Sequence, residues 1–314
     1  MELSKLVEFR KMLTDMSVRH PSDVAHKELG DIVQNVENYV LQFGEMTWTL
    51  KDDFAHVNSA FNQFQSSMDQ LVDQVDKTIE QYEPYYFSQS YRLYKDGMAH
   101  EETDYILNRR FGDMPEDVYQ FLTNRVHNYD NWKHAGMIIR PGLEEFHKNL
   151  VACDPLYLVD QSHDLLKPAI ESYNETYQKR LRVYTINEHS EDPILGKIPD
   201  NQFGFVLAYN IFNFRPFEIL ERYLREIYTK LVAGGTLAMT FNNCDLAHGV
   251  KLTELHFMCY TPGRMVEQLA KHIGFEIIFR YDTHTPNTWL ELRKPGTLKS
   301  LRGGQALAEL HPKN

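Results

Sequence analysis

The chain has 314 residues, of which 42% are apolar and 25% charged, the composition of a globular protein. Its net charge of −11 disfavours nucleic acid as a partner, because duplex binding depends on lysine and arginine to neutralise phosphates. No stretch approaches the roughly 20 apolar residues of a membrane helix, and the first residues lack the apolar segment of a signal peptide. Three scattered cysteines without metal-ligand spacing favour a reducing compartment, so we expect a cytoplasmic protein with neither a metal site nor a membrane contact.

Residues 1–83 have the apolar spacing of a helical domain. Residues 2–18 predict one helix, and residues 29–43 predict a second that Gly44 ends, because glycine commonly follows the last turn of a helix. The second helix and the one that follows it are expected to form an antiparallel hairpin.

A long apolar seam follows in residues 50–82, where apolar positions recur at steps of three and four for more than four heptads. The predicted seam consists of Leu50, Phe54, Val57, Phe61, Phe64, Met68, Leu71, Val75, Thr78 and Tyr82. Pro84 is expected to end this helix. The seam either packs against helices of the same chain or forms a coiled coil with a partner, in a homo-oligomer or a larger assembly.

Residues 84–133 form an aromatic-rich helical connector between the two halves. Pro115, preceded and followed by acidic residues, predicts the start of a helix, since proline and acids both favour the first turn. Tyrosine-rich helices between two halves of a chain either close over a binding site as a lid or serve as packing surfaces. The sequence leaves both interpretations open.

From residue 134 to residue 296, short apolar runs alternate with helical patterns, which is typical of βαβ units and a parallel sheet. The predicted strands are Met137–Ile139, Leu156–Val159, Arg182–Ile186, Phe205–Tyr209, Thr236–Phe241, Phe275–Tyr281 and Thr288–Arg293. The predicted helices between them are Leu143–Val151, Asp164–Tyr177, Phe217–Leu231 and Pro262–Ile273. The last two strands are too close in sequence for a helix between them, so they predict an antiparallel hairpin. We therefore predict an α/β fold: an open, doubly wound, mostly parallel sheet of seven strands, followed by a basic tail at 297–314.

Four segments of this region are informative by their order and spacing: LYLVDQSHDLLKPAIESY, KIPDNQFGFVLAYNIFNF, REIYTKLVAGGTLAMTF and CYTPGRMVEQLAKHIGFEIIFRYD. Together they resemble the class I S-adenosylmethionine-dependent methyltransferases. The arrangement with a long helical N-terminal part also resembles methyltransferase-like proteins encoded by tailed bacteriophages. The resemblance implies a Rossmann-like fold, S-adenosylmethionine as cofactor, and methyl transfer.

Asp160 is the most specific candidate for the cofactor site. In a doubly wound sheet, ligands bind outside the carboxyl ends of the strands where the strand order reverses. Asp160 ends the second strand, eighteen residues after Gly142, whose lack of a side chain would let a ligand approach the backbone. A carboxylate there can accept hydrogen bonds from both ribose hydroxyls. A cap for the next helix is the simpler role, but Ser162 can fill it.

The resemblance implies further contacts around the cofactor. Adenine would lie near Gln161, Ser162, Asn187 and Glu188, at the ends of strands two and three. The methyl-transfer position would be faced by residues at the end of strand four, namely Tyr209 and Asn210. Asn187 and Glu188 could each equally be a polar loop residue without a ligand.

The chain departs from the family pattern after the first strand. The family usually has an acid and several glycines there, whereas this chain has IIRPGLEEF with one glycine. Arg140 either binds the methionine carboxylate, since arginine offers a fork of donors, or belongs to a pocket that no longer binds cofactor. In strand four, Gly204 stands where the family commonly has aspartate.

Methyl transfer needs little acid–base chemistry, because the sulfonium is already electrophilic. Asp245 or His256, beyond strand five, could act as a general base toward an oxygen or nitrogen acceptor. A turn around Asn242 and Asn243 and a solvent-facing histidine are the simpler interpretations. The Asn/Asp-Pro-Pro-Tyr motif of amino-methylating DNA enzymes is absent, which disfavours DNA bases as acceptors.

Two main hypotheses follow. In the first, the protein is a methyltransferase that uses S-adenosylmethionine and acts on a small molecule or a protein. In the second, the methyltransferase fold is an inactive scaffold that assembles through residues 50–82. A nicotinamide-dependent dehydrogenase is disfavoured, because the loop after the first strand lacks G-x-G-x-x-G.

Overall fold

The computed structural model of the protein describes residues 3–19, 47–96, 115–129, 134–141, 150, 153–282 and 287–298. The chain divides into two compact units, Met1–Pro84 and Tyr85–Asn314. Among the described helices, none is both long and apolar enough to cross a membrane. Several predicted features lie outside the described residues: the helix at 29–43 with Gly44, the loop glycine Gly142, nearly all of the helix at 143–151 and the tail after 298.

The first unit contains two described helical segments, α1 (Leu3–Arg19) and the start of α2 (Thr47–Asp96). The helix predicted at 2–18 is therefore confirmed. Leu3, Val7 and Leu13 are buried along α1, at the spacing that places side chains on one face of a helix. Arg10 of α1 forms an ion pair with Asp76 of α2 at 2.5 Å. A helix of the same chain therefore lies beside part of the seam.

The buried stripe of α2 agrees with the predicted seam only in part, because Met68 and Val75 belong to that seam whereas Ile79 does not. Met68, Val75 and Ile79 are at most 8% exposed, whereas the predicted seam residues Leu71 and Tyr82 are 36% and 39% exposed. A straight helix has 3.6 residues a turn, so a seam of heptad spacing drifts around its surface by about 20° per heptad. The buried positions therefore move to neighbouring residues along the helix. A coiled coil with a partner stays a prediction.

The prediction that Pro84 ends the long helix is wrong, because α2 continues to Asp96 with the proline inside it. The rings of Tyr86 and Phe87 pack against Tyr260, with centroids 5.4 Å and 5.2 Å apart. Such packing offsets a proline in a helix interior, which costs about 3 kcal/mol. The next helix, α3 (Glu116–His127), begins directly after Pro115, close to the predicted start.

The second unit is built on a seven-stranded sheet, and the predicted doubly wound α/β fold is confirmed. The strands are β1 (Ala135–Ile139), β2 (Leu156–Asp160), β3 (Leu181–Thr185), β4 (Phe203–Ala208), β5 (Leu231–Asn242), β6 (Glu276–Asp282) and β7 (Asn287–Arg293). They lie in the order β3-β2-β1-β4-β5-β7-β6. Strands β1 to β5 pair in parallel, and β7 pairs antiparallel to both β5 and β6. The predicted terminal hairpin is thus present.

The connections that cover the sheet are mostly helical. They are α4 (His163–Glu171), α5 (Glu175–Gln178), a short 3₁₀ helix (Phe212–Phe214), α6 (Phe217–Lys230), α7 (Ala247–Glu254) and α8 (Gly263–Ile273). The single helix predicted at 164–177 is in fact the pair α4 and α5. The break arises because Asn174 caps α5, where its Oδ1 accepts a hydrogen bond from Tyr177 N at 2.9 Å.

The core lies on both faces of the sheet. All residues of β1, β2 and β4 are buried. Strands covered on both faces are apolar almost throughout, which explains why these runs were recognisable in the sequence. Within β5, Gly234 has φ of 79°, which glycine adopts without strain.

β4 has no room for a side chain at Gly204. A Cβ on Gly204 would lie 2.6 Å from Cβ of His134, itself buried. We expect Gly204→Ala to destabilise the fold by about 1–3 kcal/mol through overpacking, measured by urea unfolding. In the His134→Gly background, which lacks the Cβ that the new side chain would meet, the same change should cost much less. An equal cost in both backgrounds would contradict this explanation.

Candidate functional site

The strand order reverses between β1 and β4. The chain places β1, β2 and β3 side by side in one direction, then returns to add β4 on the other side of β1. At such a point the two connections leave in opposite directions, which creates a crevice at the carboxyl ends of the strands. Residues that follow β1, β2 and β4 are therefore the candidates for binding a ligand.

Backbone strain is found on both sides of this crevice. Arg140 follows β1 and Asn210 follows β4, and each has φ of 55°. A residue other than glycine costs about 1–2 kcal/mol in this left-handed conformation. The backbone N–H of Arg140 donates to Val159 O at 2.7 Å, and that of Asn210 donates to Thr240 Oγ1 at 2.7 Å, so both residues are held in place. Strain of this kind often occurs at functional sites.

Asp160 lies at the carboxyl end of β2, one strand away from the crevice, and is only 2% exposed. Its Oδ1 accepts hydrogen bonds from the backbone N–H of Gln161 at 2.6 Å and of Ser162 at 3.4 Å. The hydroxyl of Ser162 caps α4, where it accepts from Asp164 N at 3.2 Å. Helix capping therefore does not account for Asp160.

Arg140 lies against Asp160. Its Nε is 3.5 Å from Oδ1 of the carboxylate, and both side chains are buried. The arginine that replaces a glycine-rich motif is therefore paired with the carboxylate expected to bind ribose. A ligand that uses Asp160 must share this carboxylate with Arg140 or displace it.

Glu188 is the centre of a buried network that also borders Arg140. Its carboxylate pairs with Arg215 Nε at 2.6 Å and accepts hydrogen bonds from the hydroxyls of Tyr94 at 2.9 Å and Tyr223 at 2.5 Å. Burial alone would raise the pKa of Glu188, but the attraction of Arg215, then of Arg140, lowers it below its ordinary value. Glu188 is therefore an ionised carboxylate whose two strongest cations come from different loops.

The lowered pKa of Glu188 predicts a defined loss of stability in acid. In the unfolded chain a glutamate has a pKa of about 4.3, so the stabilisation by ionised Glu188 is complete above that pH. It is lost as the pH falls through the lower pKa of the folded state. Urea unfolding between about pH 6 and pH 3 measures this loss. The Glu188→Gln variant should lack this part of the pH dependence, and an unchanged profile would contradict the assignment.

The other predicted cofactor residues differ in their surroundings. Asn187 is exposed, and its Oδ1 accepts a hydrogen bond from His189 N at 3.0 Å in a local turn. Gln161 is partly exposed. Tyr209 is buried near Trp289, with ring centroids 6.3 Å apart. Their roles toward a cofactor stay predictions.

Of the two predicted catalytic residues, Asp245 is already engaged. Its carboxylate accepts hydrogen bonds from the backbone N–H and from Nη1 of Arg264, both at 2.6 Å, at the start of α8. His256 is exposed, has φ of 60°, and contacts Nε2 of Gln89. These surroundings favour the simpler interpretations, a turn residue and a solvent-facing histidine, and a catalytic role for either stays a prediction.

The sequence alone does not identify Arg215, Tyr223 or Tyr94 as residues of this site. One pattern could have indicated Arg215: it is a single cation within the apolar run IFNFRPF. A charge in such a run is expected to be buried and therefore paired. Its partner Glu188 could not be identified without the fold. No cluster of metal-ligating side chains occurs among the residues that the structure describes.

No protein-family model matches the chain. No curated protein matches it either. Solved structures do resemble it. The N-methyltransferase NodS from Bradyrhizobium japonicum WM9, in complex with S-adenosyl-L-homocysteine, is 11% identical, with a TM-score of 0.49 over 63% of this chain and 99% of that one.

Two further similar structures are O-methyltransferase family proteins. The one from Planctomyces limnophilus DSM 3776, in complex with apigenin, is 13% identical, with a TM-score of 0.43 over 59% of this chain and 63% of that one. The one from Burkholderia thailandensis is 10% identical, with a TM-score of 0.44 over 58% of this chain and 57% of that one. The matched region thus spans less than two thirds of the length of both proteins. Identities this low concern the fold only, and one fold can serve many functions. With antiparallel β7 between β5 and β6, the chain has a seven-stranded, mostly parallel Rossmann-like α/β fold.

Proposed function

We propose that the protein transfers a methyl group from S-adenosylmethionine to a small-molecule or protein acceptor. The observation that supports this most is the buried carboxylate of Asp160 at the end of β2, beside the reversal of strand order. An acid in this position suits the two ribose hydroxyls, which it can bind through charge-assisted hydrogen bonds. The four sequence segments that resemble class I methyltransferases support the same proposal.

The residues around the crevice fit such a cofactor. Asp160 would bind the ribose, and Arg140 would bind the methionine carboxylate after leaving Asp160. A buried donor, Nδ2 of Asn210, has no hydrogen-bond partner in the described part of the chain and is available to a ligand. Gln161, Ser162, Asn187 and Glu188 are kept as adenine-side residues, and Tyr209 as a neighbour of the methyl group.

When bound, S-adenosylmethionine supplies an activated methyl group. The task of the protein is then to exclude water and to align the acceptor with the methyl carbon. The burial of Arg140, Asp160, Glu188 and Asn210 suits this task, because electrostatic interactions strengthen where water is excluded. No proton transfer is assigned to Asp245, whose carboxylate is held by Arg264.

The Arg140→Ala variant tests whether Arg140 leaves Asp160 to bind the carboxylate of the ligand. We expect Arg140→Ala to weaken binding of S-adenosylhomocysteine about tenfold, because a hydrogen bond to a charged group contributes about 1.5–3 kcal/mol. Isothermal titration calorimetry measures the change, with Arg180→Ala, a surface arginine outside the crevice, as the matched control. Tighter binding by Arg140→Ala would mean that the arginine blocks the site.

The proposed function itself is tested by calorimetry and thermal unfolding of the full chain with S-adenosylhomocysteine. Heat of binding and a raised melting temperature at about 1 mM ligand are expected. Neither effect at that concentration would overturn the proposal. Transfer of labelled methyl groups into small-molecule or protein fractions then identifies the acceptor class.

An inactive scaffold is the second candidate, and the pairing of Arg140 with Asp160 is the observation that favours it. In that case assembly through the seam at residues 50–82 would be the function. Analytical ultracentrifugation distinguishes the two: a monomer that binds the cofactor argues against the scaffold, whereas an oligomer that does not bind it argues for the scaffold. Cytoplasmic location, homo-oligomerisation and the finer resemblance to bacteriophage proteins stay predictions.

A further inference from the structure

Four neutral polar side chains meet at the carboxyl end of β4. Asn210 follows β4, Asn213 lies in the 3₁₀ helix, Thr240 lies in β5, and Asn287 begins β7. All four are buried. Buried amides are expected to have their donors and acceptors satisfied, so any that are not satisfied point to an additional partner.

The amide of Asn210 is satisfied on one side only. Its Oδ1 accepts hydrogen bonds from Asn213 Nδ2 at 3.2 Å and from Asn287 Nδ2 at 3.1 Å, and Thr240 Oγ1 lies at 3.5 Å. Its Nδ2 is buried and finds no partner among the described residues. The three neighbours fix the orientation of the amide, so its N–H donor points away from the cluster.

Asn213 has the complementary deficit. Its Nδ2 donates to Asn210, but its Oδ1 is buried without a hydrogen-bond partner in the parts of the chain described. Each unsatisfied group is costly in a buried position, because it has lost its hydrogen bonds to water. Rotating the amides by a half turn does not remove the problem, because reversing Asn210 requires Asn213 and Asn287 to reverse too. After such a reversal the unsatisfied group of Asn210 would be its oxygen, and that of Asn213 would be its nitrogen.

The position of this pair relates it to the proposed chemistry. Asn210 lies beside the reversal of strand order and has a strained backbone. In the proposed reaction the methyl acceptor must be held in a fixed orientation next to the methyl group. A rigid donor and a rigid acceptor on fixed elements are suited to that purpose.

We propose that Asn210 Nδ2 and Asn213 Oδ1 bind an amide-like edge of the methyl acceptor, a neutral group with a lone pair beside an N–H. This inference rests on the proposed function and specifies its substrate class. The N–H of Asn210 donates to the carbonyl oxygen or ring nitrogen of the acceptor, and Asn213 Oδ1 accepts from its N–H. A carboxylate would place negative charge against Asn213 Oδ1, and an ammonium would place positive charge against the Asn210 donor. A charged group in such a buried position is costly without an opposite charge.

The inference is tested with small probes, because they need no knowledge of the whole acceptor. N-methylacetamide and 2-pyridone represent neutral amides, and acetate and methylammonium represent the charged alternatives. Saturation-transfer NMR on the full chain, with and without S-adenosylhomocysteine, measures their binding. We expect the two amides to bind, and the Asn213→Leu variant, which keeps a similar volume, to lose at least about tenfold in amide affinity.

Two controls separate the possible outcomes. Asn124→Leu, at an exposed asparagine of α3, should leave amide binding unchanged. If Asn213→Leu does not fold, Asn213→Ala replaces it. Three results would overturn the inference. Acetate or methylammonium could bind more strongly than the amides, or amide binding could survive loss of the Asn213 amide. The third result is that no probe binds, which would mean that only water satisfies the two groups. Binding of S-adenosylhomocysteine is measured separately, so failure of the proposed function is distinguishable.

Discussion

Replacing Glu291 with alanine is expected to destabilise the second unit by about 3–5 kcal/mol, because this removes a fully buried carboxylate and leaves the partly buried Arg125 without its charged partner. Glu291 is completely buried in β7, between β5 and β6. Its carboxylate accepts two hydrogen bonds from Arg125, at 2.6 Å and 2.7 Å, and one from the hydroxyl of Tyr129 at 2.7 Å. Nε1 of Trp289 donates a further bond at 3.0 Å.

Burial, then the hydrogen bond to Glu291, raises the pKa of Tyr129 well above its ordinary value, so the tyrosine is a donor at neutral pH. The network therefore joins α3 to the antiparallel part of the sheet through one carboxylate. Urea unfolding measures the loss. The control is Glu221→Ala, which removes a surface pair with Arg225 and should cost at most about 0.5 kcal/mol. Equal small losses in both variants would contradict the structural role of Glu291.

Replacing Asp160 with asparagine should reduce the affinity for S-adenosylhomocysteine at least about 100-fold. The change keeps the shape of the side chain but removes the charge. Two hydrogen bonds to a carboxylate contribute about 1.5–3 kcal/mol each, and each 1.4 kcal/mol is roughly a factor of ten. Calorimetry measures the affinity, and thermal unfolding checks that the variant is folded.

Asp164→Asn is the matched control for this variant. Asp164 is an exposed acid in the first turn of α4, so its replacement removes the same charge close by without touching the crevice. Its affinity should stay within about twofold of the wild type, because exposed charges interact weakly. If Asp160→Asn and Asp164→Asn bind the ligand equally well, Asp160 does not bind the ribose.

The central part of the sheet could be predicted from the sequence because β1, β2 and β4 are buried on both faces. The runs LYLVD and FGFVLA are apolar without alternation, and each is followed by a helical pattern. The short link between GFEIIFRYD and TWLELR left only a hairpin as their connection. Local patterns therefore sufficed for the strands and for their order along the chain.

Features that depend on distant contacts could not be predicted in the same way. Pro84 should end a helix on local grounds, but the packing of Tyr86 and Phe87 on Tyr260 keeps α2 helical beyond it. The buried stripe of α2 depends on which side α1 covers. These contacts join residues far apart in the sequence, so tertiary structure overrides local preference.

The candidate site shows the same division. The apolar pattern predicted that Asp160 ends the second strand, and the structure has it at the carboxyl end of β2. That Glu188 would form an ion pair with Arg215 could not be foreseen, since the two residues belong to different loops that only the sheet brings together. Nor could the sequence show that Arg140 would turn toward Asp160 rather than toward a ligand.

A crystal structure of the full chain grown with S-adenosylhomocysteine tests the central claim most directly. We predict that the ligand lies in the crevice between the ends of β1 and β4. Its ribose hydroxyls should lie within hydrogen-bond distance of Asp160, and Arg140 should be turned to the carboxylate of the ligand. A structure in which Arg140 stays against Asp160, and no ligand occupies the crevice at saturating concentration, would contradict the account.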